Sequence, residues 1–189
     1  MTNQHKCLLF PFLIIICSFF ASCKGVTGYP SLLVQADSAY MQGHYHEGDS
    51  LLSLYGNQQV ANSRDVQFYH ELVKLESICL RGDINESHFS LADSLSRFYN
   101  NDRSSGKYAK CLFFLGCIYH VSDDYPSALN CYLKASKLAE ECNDAYLSCL
   151  LNREMGDLYF RQRMLDECIP YYKNYYIIAA QRIYPVGKA

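Results

Sequence analysis

The sequence has no tryptophan among its 189 residues and no surplus of either charge: 17 Lys and Arg stand against 19 Asp and Glu, a net charge of -2. No basic stripe emerges, so the electrostatic footprint that grips a phosphate backbone is missing and nucleic acid is not an expected partner. No phosphate loop is present either, because SSGK at 104–107 lacks the glycine that must precede it. There is no nucleophile elbow, no glycine-rich dinucleotide fingerprint and no CxxC pair. The longest apolar run, Cys7 to Phe20, is about fourteen residues, short of the roughly 20 that cross a bilayer, and Pro11 interrupts it. These absences leave no catalytic, cofactor or metal signature, and the expectation is a protein that is not an enzyme and holds no cofactor or metal. What is present argues for a folded chain: half the residues are hydrophobic, 14% are aromatic, and 17 are tyrosines, which suit half-buried faces between helices.

The first 23 residues differ in kind from the rest. MTNQHK carries Lys6 and precedes the apolar run, as in a secretion signal. Ala21-Ser22-Cys23 then resembles a lipobox, the cleavage signal of bacterial lipoproteins, with Phe20 where leucine is common. That resemblance implies removal of residues 1–22, a lipid on Cys23, and a short tether over 23–28. An ordinary secretory signal with an incidental Cys23 is the alternative. Lys24 follows without an acidic run, so the expected anchor faces the periplasm, at the outer membrane rather than the inner.

The remainder repeats itself. QGHYHEGDSLL (42–52), RGDINESHFSL (81–91), SDDYPSALNCY (122–132) and QRMLDECIPYY (162–172) each join a polar turn to a hydrophobic residue, a small one and a further apolar one. Anchors at Gly43, Gly82, Asp123 and Arg163 are spaced by 39, 41 and 40 residues. Each turn closes one apolar-periodic stretch and opens another, so the unit is helix, turn, helix. In the third unit Leu115, Gly116, Tyr119, Ala128, Tyr132 and Ala135 follow the order and spacing of the tetratricopeptide (TPR) signature. The fourth echoes it with Gly156, Tyr159, Cys168 and Tyr172. The first and second units match mainly in the second helix. The chain thus resembles a TPR protein. That resemblance implies an all-α, right-handed superhelical α-solenoid of about four units, at 29–56, 63–99, 107–142 and 146–182, with a tail over 183–189. Small residues (Gly48, Ser87, Gly116, Ala128, Gly156, Cys168) are expected where helices approach closely, and Tyr119, Tyr132, Tyr159 and Tyr172 between units. A generic helical bundle is the plainer alternative.

Seven cysteines follow Cys23: Cys79, Cys111, Cys117, Cys131, Cys142, Cys149 and Cys168. On a helix Cys111 and Cys117 point about 240° apart, and Cys117 with His120 supplies two ligands where zinc needs four. Packing as small apolar groups accounts for most of them. Cys142 and Cys149 are the best placed for a local disulfide, which export would permit. His44 and His46 are expected at the surface. The tripeptide Arg81-Gly82-Asp83 matches an adhesion motif but occupies a turn of the repeat.

By resemblance, a TPR groove is lined by the first helix of each unit and takes a protein or peptide. Those positions are Asp37 and Tyr40; Tyr69, Leu72 and Glu76, with Cys79; Lys110, Phe113 and His120, with Cys117; and Arg153, Asp157, Phe160 and Arg161, with Leu150. They lack the Lys/Asn pattern that clamps a chaperone's C-terminal carboxylate. The Tyr-rich last helix is aromatic on more than one side, so it is expected to pack on a partner, a second copy of the chain or a continuation. The expected role is an envelope scaffold or assembly factor acting by protein–protein contact. The alternative is a periplasmic sensory module, shortened from a longer regulator.

Overall fold

The computed structural model describes residues 28–58, 63–102 and 106–183, with side chains to residue 181. The signal segment, Cys23 with most of its tether, part of the NNDRSSG link and the tail beyond Ile183 lie outside the described residues. Among the described residues there are eight α-helices and no strand. They are α1 (Ser31–Met41), α2 (Tyr45–Gly56), α3 (Arg64–Leu80), α4 (Phe89–Tyr99), α5 (Lys107–Val121), α6 (Tyr125–Glu141), α7 (Ala145–Arg161) and α8 (Leu165–Ile183), with a 3₁₀ turn at Glu86–His88.

Local chemistry sets the helix starts. The side chains of Ser63, Asp124 and Asp144 accept from the amides of Val66, Ser127 and Leu147, at 3.4, 3.2 and 2.9 Å, satisfying amides that have no partner inside the helix. The turns within the helix pairs share one geometry. Gly43, Gly82, Asp123 and Arg163 have φ of 82, 77, 60 and 60°. In each turn that residue's amide donates three residues back and the next amide five back, from Gly43 to Tyr40 and His44 to Ala39 through to Arg163 to Phe160 and Met164 to Tyr159. This is the Schellman closure, whose left-handed position suits glycine. All four anchors of the sequence repeat are left-handed, and among the described residues Gly106 and Asn143, in the links between pairs, share that geometry.

Helices pack as adjacent pairs, α1 on α2, α5 on α6 and α7 on α8. The second pair is looser, and α4 leans more on α5 than on α3. Its α3–α4 contact is a stack of Phe68 on Phe98, 4.0 Å between centroids, with the Arg64 guanidinium over both rings. First helices also touch along the series, α1 with α3, α3 with α5 and α5 with α7. That makes α5 central, and it is apolar nearly all round, with Cys111 to Ile118 buried without a break, as a helix enclosed by neighbours must be.

The tyrosines correct one expectation. Tyr132 and Tyr172 do not fill gaps between units; each lies within its own pair, over Gly116 and Gly156 respectively, where a Cβ would meet the ring. In the first pair the partners exchange helices, and Tyr40 of α1 covers Gly48 of α2. Tyr119 does bridge units, edge-on to Phe89 at 5.5 Å, whereas Tyr159 stacks on Tyr171 within its own pair. Leu115, Ala128 and Ala135 are buried in the core.

Candidate functional site

The positions expected to line a groove divide into two groups. Tyr40, Tyr69, Leu72, Glu76, Lys110, Phe113 and His120 are buried, as are Cys117 and Leu150. Successive first helices lie against one another along this face, so these side chains are turned into helix–helix contacts, and of them only Cys117 and His120 also line the cleft described below. That corrects their assignment as contact residues. Asp37 is only slightly exposed. Arg153 and Asp157 are half-buried, and Phe160 and Arg161 are exposed.

The buried group has its own logic. Lys110 of α5 places its Nζ 2.5 Å from Asp37 Oδ1 of α1 and 2.9 Å from Glu76 Oε2 of α3. The Tyr69 hydroxyl donates to Asp37 Oδ2 at 2.7 Å. Three first helices are therefore tied through one ammonium. Burial works against the charged amine, but the two carboxylates outweigh it and hold Lys110 well above its ordinary value. Asp37 would be raised by burial, yet Lys110 and Tyr69 hold it low. Glu76 goes the other way: burial pushes its carboxyl up to about 7, Lys110 notwithstanding.

The accessible group opens onto a cleft of about 600 Å³ between the end of α3, α5 and α7. Leu80, Arg81 and Ile84 form one wall, and Arg153, Asp157, Phe160 and Arg161 the other, with Cys117, His120 and Glu154 between them. The acids are already engaged. Glu154 Oε1 accepts from Arg153 Nε and Nη2 at 3.1 and 2.7 Å, and its Oε2 lies 3.7 Å from His120 Nδ1. Burial alone would raise the Glu154 carboxyl, and His120 with Arg153 more than reverses this. Asp157 accepts from the Tyr172 hydroxyl at 2.6 Å. His120, only 5% exposed, also sits 3.4 Å from the Tyr132 hydroxyl through Nδ1, while its Nε2 has no hydrogen-bond partner among the described residues.

No family model matches the chain, and no curated protein matches it. The functional reading therefore stands on this geometry and on the sequence.

Sequence reasoning missed Arg81 and Glu154. Arg81 entered only through the adhesion tripeptide. Its Nε donates to Asp83 at 3.1 Å and its Nη1 to Ser77 at 2.6 Å, within reach of Asp49 at 3.4 Å. The Arg and Asp of the tripeptide thus bind each other at a helix end. Glu154 had one usable signal, a carboxylate directly after a groove arginine on a largely apolar helix.

None of the seven cysteines after Cys23, Cys142 and Cys149 included, is joined in a disulfide among the described residues. Burial pushes the Cys111 and Cys117 thiols well up, away from the thiolate that nucleophilic or metal chemistry requires. Among the described residues no three His, Cys, Asp or Glu side chains gather to hold a metal ion, and no helix is long and apolar enough to cross a membrane. The last helix exposes an apolar stripe at Leu165, Ile169 and Tyr176, with Ile177 beside it. His44 and His46 are at the surface.

Proposed function

We propose that the chain is an exported, lipid-anchored repeat protein that works by protein–protein contact, as a scaffold or assembly factor of a Gram-negative-type envelope. In this reading the helix pairs form a right-handed TPR-like solenoid. Cys23 carries the lipid, and the body faces the periplasm from the outer membrane. The observation that carries the contact reading is the cleft on the fourth pair, where Arg153, Asp157, Phe160 and Arg161 stay accessible while the rest of the first-helix face is closed into the core. A wide, shallow recess walled by arginines and apolar side chains suits a protein segment. Self-association through the apolar stripe of α8 belongs to the same reading and would appear as a concentration-dependent mass in solution.

Crosslinking and pull-down from native membranes tests this, with Cys23→Ala as the localisation control. A specific partner lost from the membrane fraction with Cys23→Ala supports both halves. Retention of that variant on membranes after salt and carbonate washes removes the lipid anchor. Recovery of no specific partner removes the contact reading.

A further inference from the structure

One end of the molecule carries most of its exposed apolar surface. Six of the eleven large apolar side chains exposed on the described residues lie between Phe160 and Ile177. On α8 they are Leu165, Ile169, Tyr176 and Ile177, which are 48% to 69% exposed. Helix α6 holds Tyr125 and Leu129 at the repeat positions of Leu165 and Ile169; it has α7 packed beside it, and both side chains are partly buried. Helix α8 packs chiefly on α7, and its outer side is exposed. Two charges border this stripe, Asp166 and Lys173. Both are exposed, and neither pairs with a group of its own chain among the described residues.

The stripe and its charges are self-complementary. At about 100° per residue, Leu165, Ile169 and Tyr176 fall within about 40° of arc. Asp166 and Lys173 lie together on one edge of that arc, about 10 Å apart along the axis. Two copies of α8 laid antiparallel, about a two-fold axis at Ile169 and Pro170, match each other. Ile169 meets Ile169 of the second copy, and Tyr176 reaches Leu165 and Met164 of the second copy. The two-fold keeps the charged edges on one side, so Asp166 faces Lys173 of the second copy, and the pair occurs twice. A parallel arrangement sets Asp166 against Asp166, and an antiparallel one centred on Lys173 sets Lys173 against Lys173. Both of those put like charges together, which disfavours them. We propose that α8 is the interface of a two-fold dimer, pairing antiparallel with α8 of a second copy in the register that sets Asp166 against Lys173. A closed contact of one surface with its own copy is the commonest form of association between identical chains. This inference rests on the protein-contact reading above and fixes the occupant of the stripe, its direction and its register.

The test is analytical ultracentrifugation of the full processed chain in mild detergent, over a concentration series. One helix per copy makes a small interface, so a dimer dissociating at about 1–100 μM is expected. Asp166→Lys and Lys173→Asp, each alone, set like charges face to face twice and should each weaken the dimer by about tenfold or more. Combined in one chain they exchange the two charges and should restore the affinity to within about threefold of the parent protein. An equimolar mixture of the two single variants should form a mixed dimer tighter than either forms alone. These side chains are exposed, so an unchanged circular dichroism spectrum separates lost pairing from lost fold. A parent protein that stays monomeric throughout that range, or that forms polymers larger than a dimer, overturns the proposal. So do single variants of unchanged affinity, or a double variant no tighter than the singles. Ile169→Glu identifies a different occupant: a monomeric parent protein whose specific partner is lost from the membrane pull-down with this variant gives the stripe to another protein. That outcome sinks the dimer and leaves the contact reading standing. A dimer in the expected register with no specific partner in the pull-down does the reverse, keeping the dimer and removing the scaffold.

Discussion

The Lys110 ammonium lies 2.9 Å from the Glu76 carboxylate, both side chains buried, with Asp37 on its other side at 2.5 Å. Each charge comes from a different helix pair. A buried ion group of this kind contributes little by itself, but breaking it leaves uncompensated charge in a medium that solvates it poorly. Lys110→Met should therefore cost about 3–5 kcal/mol, because two carboxylates lose their shared partner. The triple substitution Lys110→Met, Glu76→Gln, Asp37→Asn should recover a large part of that loss. Urea unfolding followed by circular dichroism measures both. A single substitution within about 1 kcal/mol of the parent protein would contradict the arrangement.

The same cluster fixes a pH dependence. Glu76 has its folded-state pKa raised from 4.5 to about 7. A raised value means the folded state holds the proton more tightly than the unfolded chain does. Its contribution is complete below pH 4.5 and is lost as pH rises toward 7. Asp37 and Glu154 are held low, so theirs is complete above the unfolded values and lost only in acid. His70 is depressed, by burial first, and opposes Glu76 in part of the same range. The clean readout is thus the difference between the parent protein and Glu76→Gln. Relative to that variant, the parent should lose on the order of 2 kcal/mol between pH 4.5 and 7.5. A constant difference would mean that Glu76 titrates normally.

The left-handed turn residues give a third expectation. Asp123 and Arg163 adopt φ of 60°, which costs a residue with a Cβ about 1–2 kcal/mol relative to glycine. Arg163→Gly should accordingly stabilise the protein by up to about 1 kcal/mol, once the added freedom of glycine in the unfolded chain is subtracted. Gly43→Ala and Gly82→Ala, at φ of 82 and 77° with open space around them, should cost about 1 kcal/mol each from backbone strain alone. Shifts in the urea midpoint in the opposite directions would show that these turns do not hold the left-handed geometry.

Those turns were legible in the sequence because their signal is local. Gly43, Gly82, Asp123 and Arg163 stand in phase, and a Schellman closure depends on only a few neighbouring residues. The helix pairs followed from the same periodicity. The groove was not legible, because whether Tyr40 or Phe113 faces a partner or a neighbouring helix depends on how closely α1, α3, α5 and α7 pack. No residue spacing within one helix encodes that. Lys110 was placed in the groove by resemblance, and only its contacts 73 and 34 residues away reversed that expectation. The tyrosines were misplaced for a related reason: their spacing fixed which face of the helix they occupy, but not that each would lie over a glycine of its own pair.

That glycine contact yields the last prediction. A Cβ added at Gly116 would overlap the ring of Tyr132, and Tyr132 is fully buried, with its hydroxyl near His120, so the ring cannot swing clear. Alanine is the better helix former by about 1 kcal/mol, which gives the substitution a favourable component. Overpacking of a filled core costs about 1–3 kcal/mol, and at this contact the steric component should prevail. Gly116→Ala should therefore destabilise the protein, while Gly56→Ala, with nothing within 4 Å of its added carbon, should be neutral or stabilising. Tyr132→Phe keeps the ring and should leave the Gly116→Ala penalty in place; Tyr132→Leu removes ring atoms and should reduce it in the double substitution. The non-additivity measured across that cycle by urea unfolding is the decisive quantity, because it reports the contact between the two residues and cancels whatever each change does alone. Additive penalties would mean that the ring and the glycine do not touch.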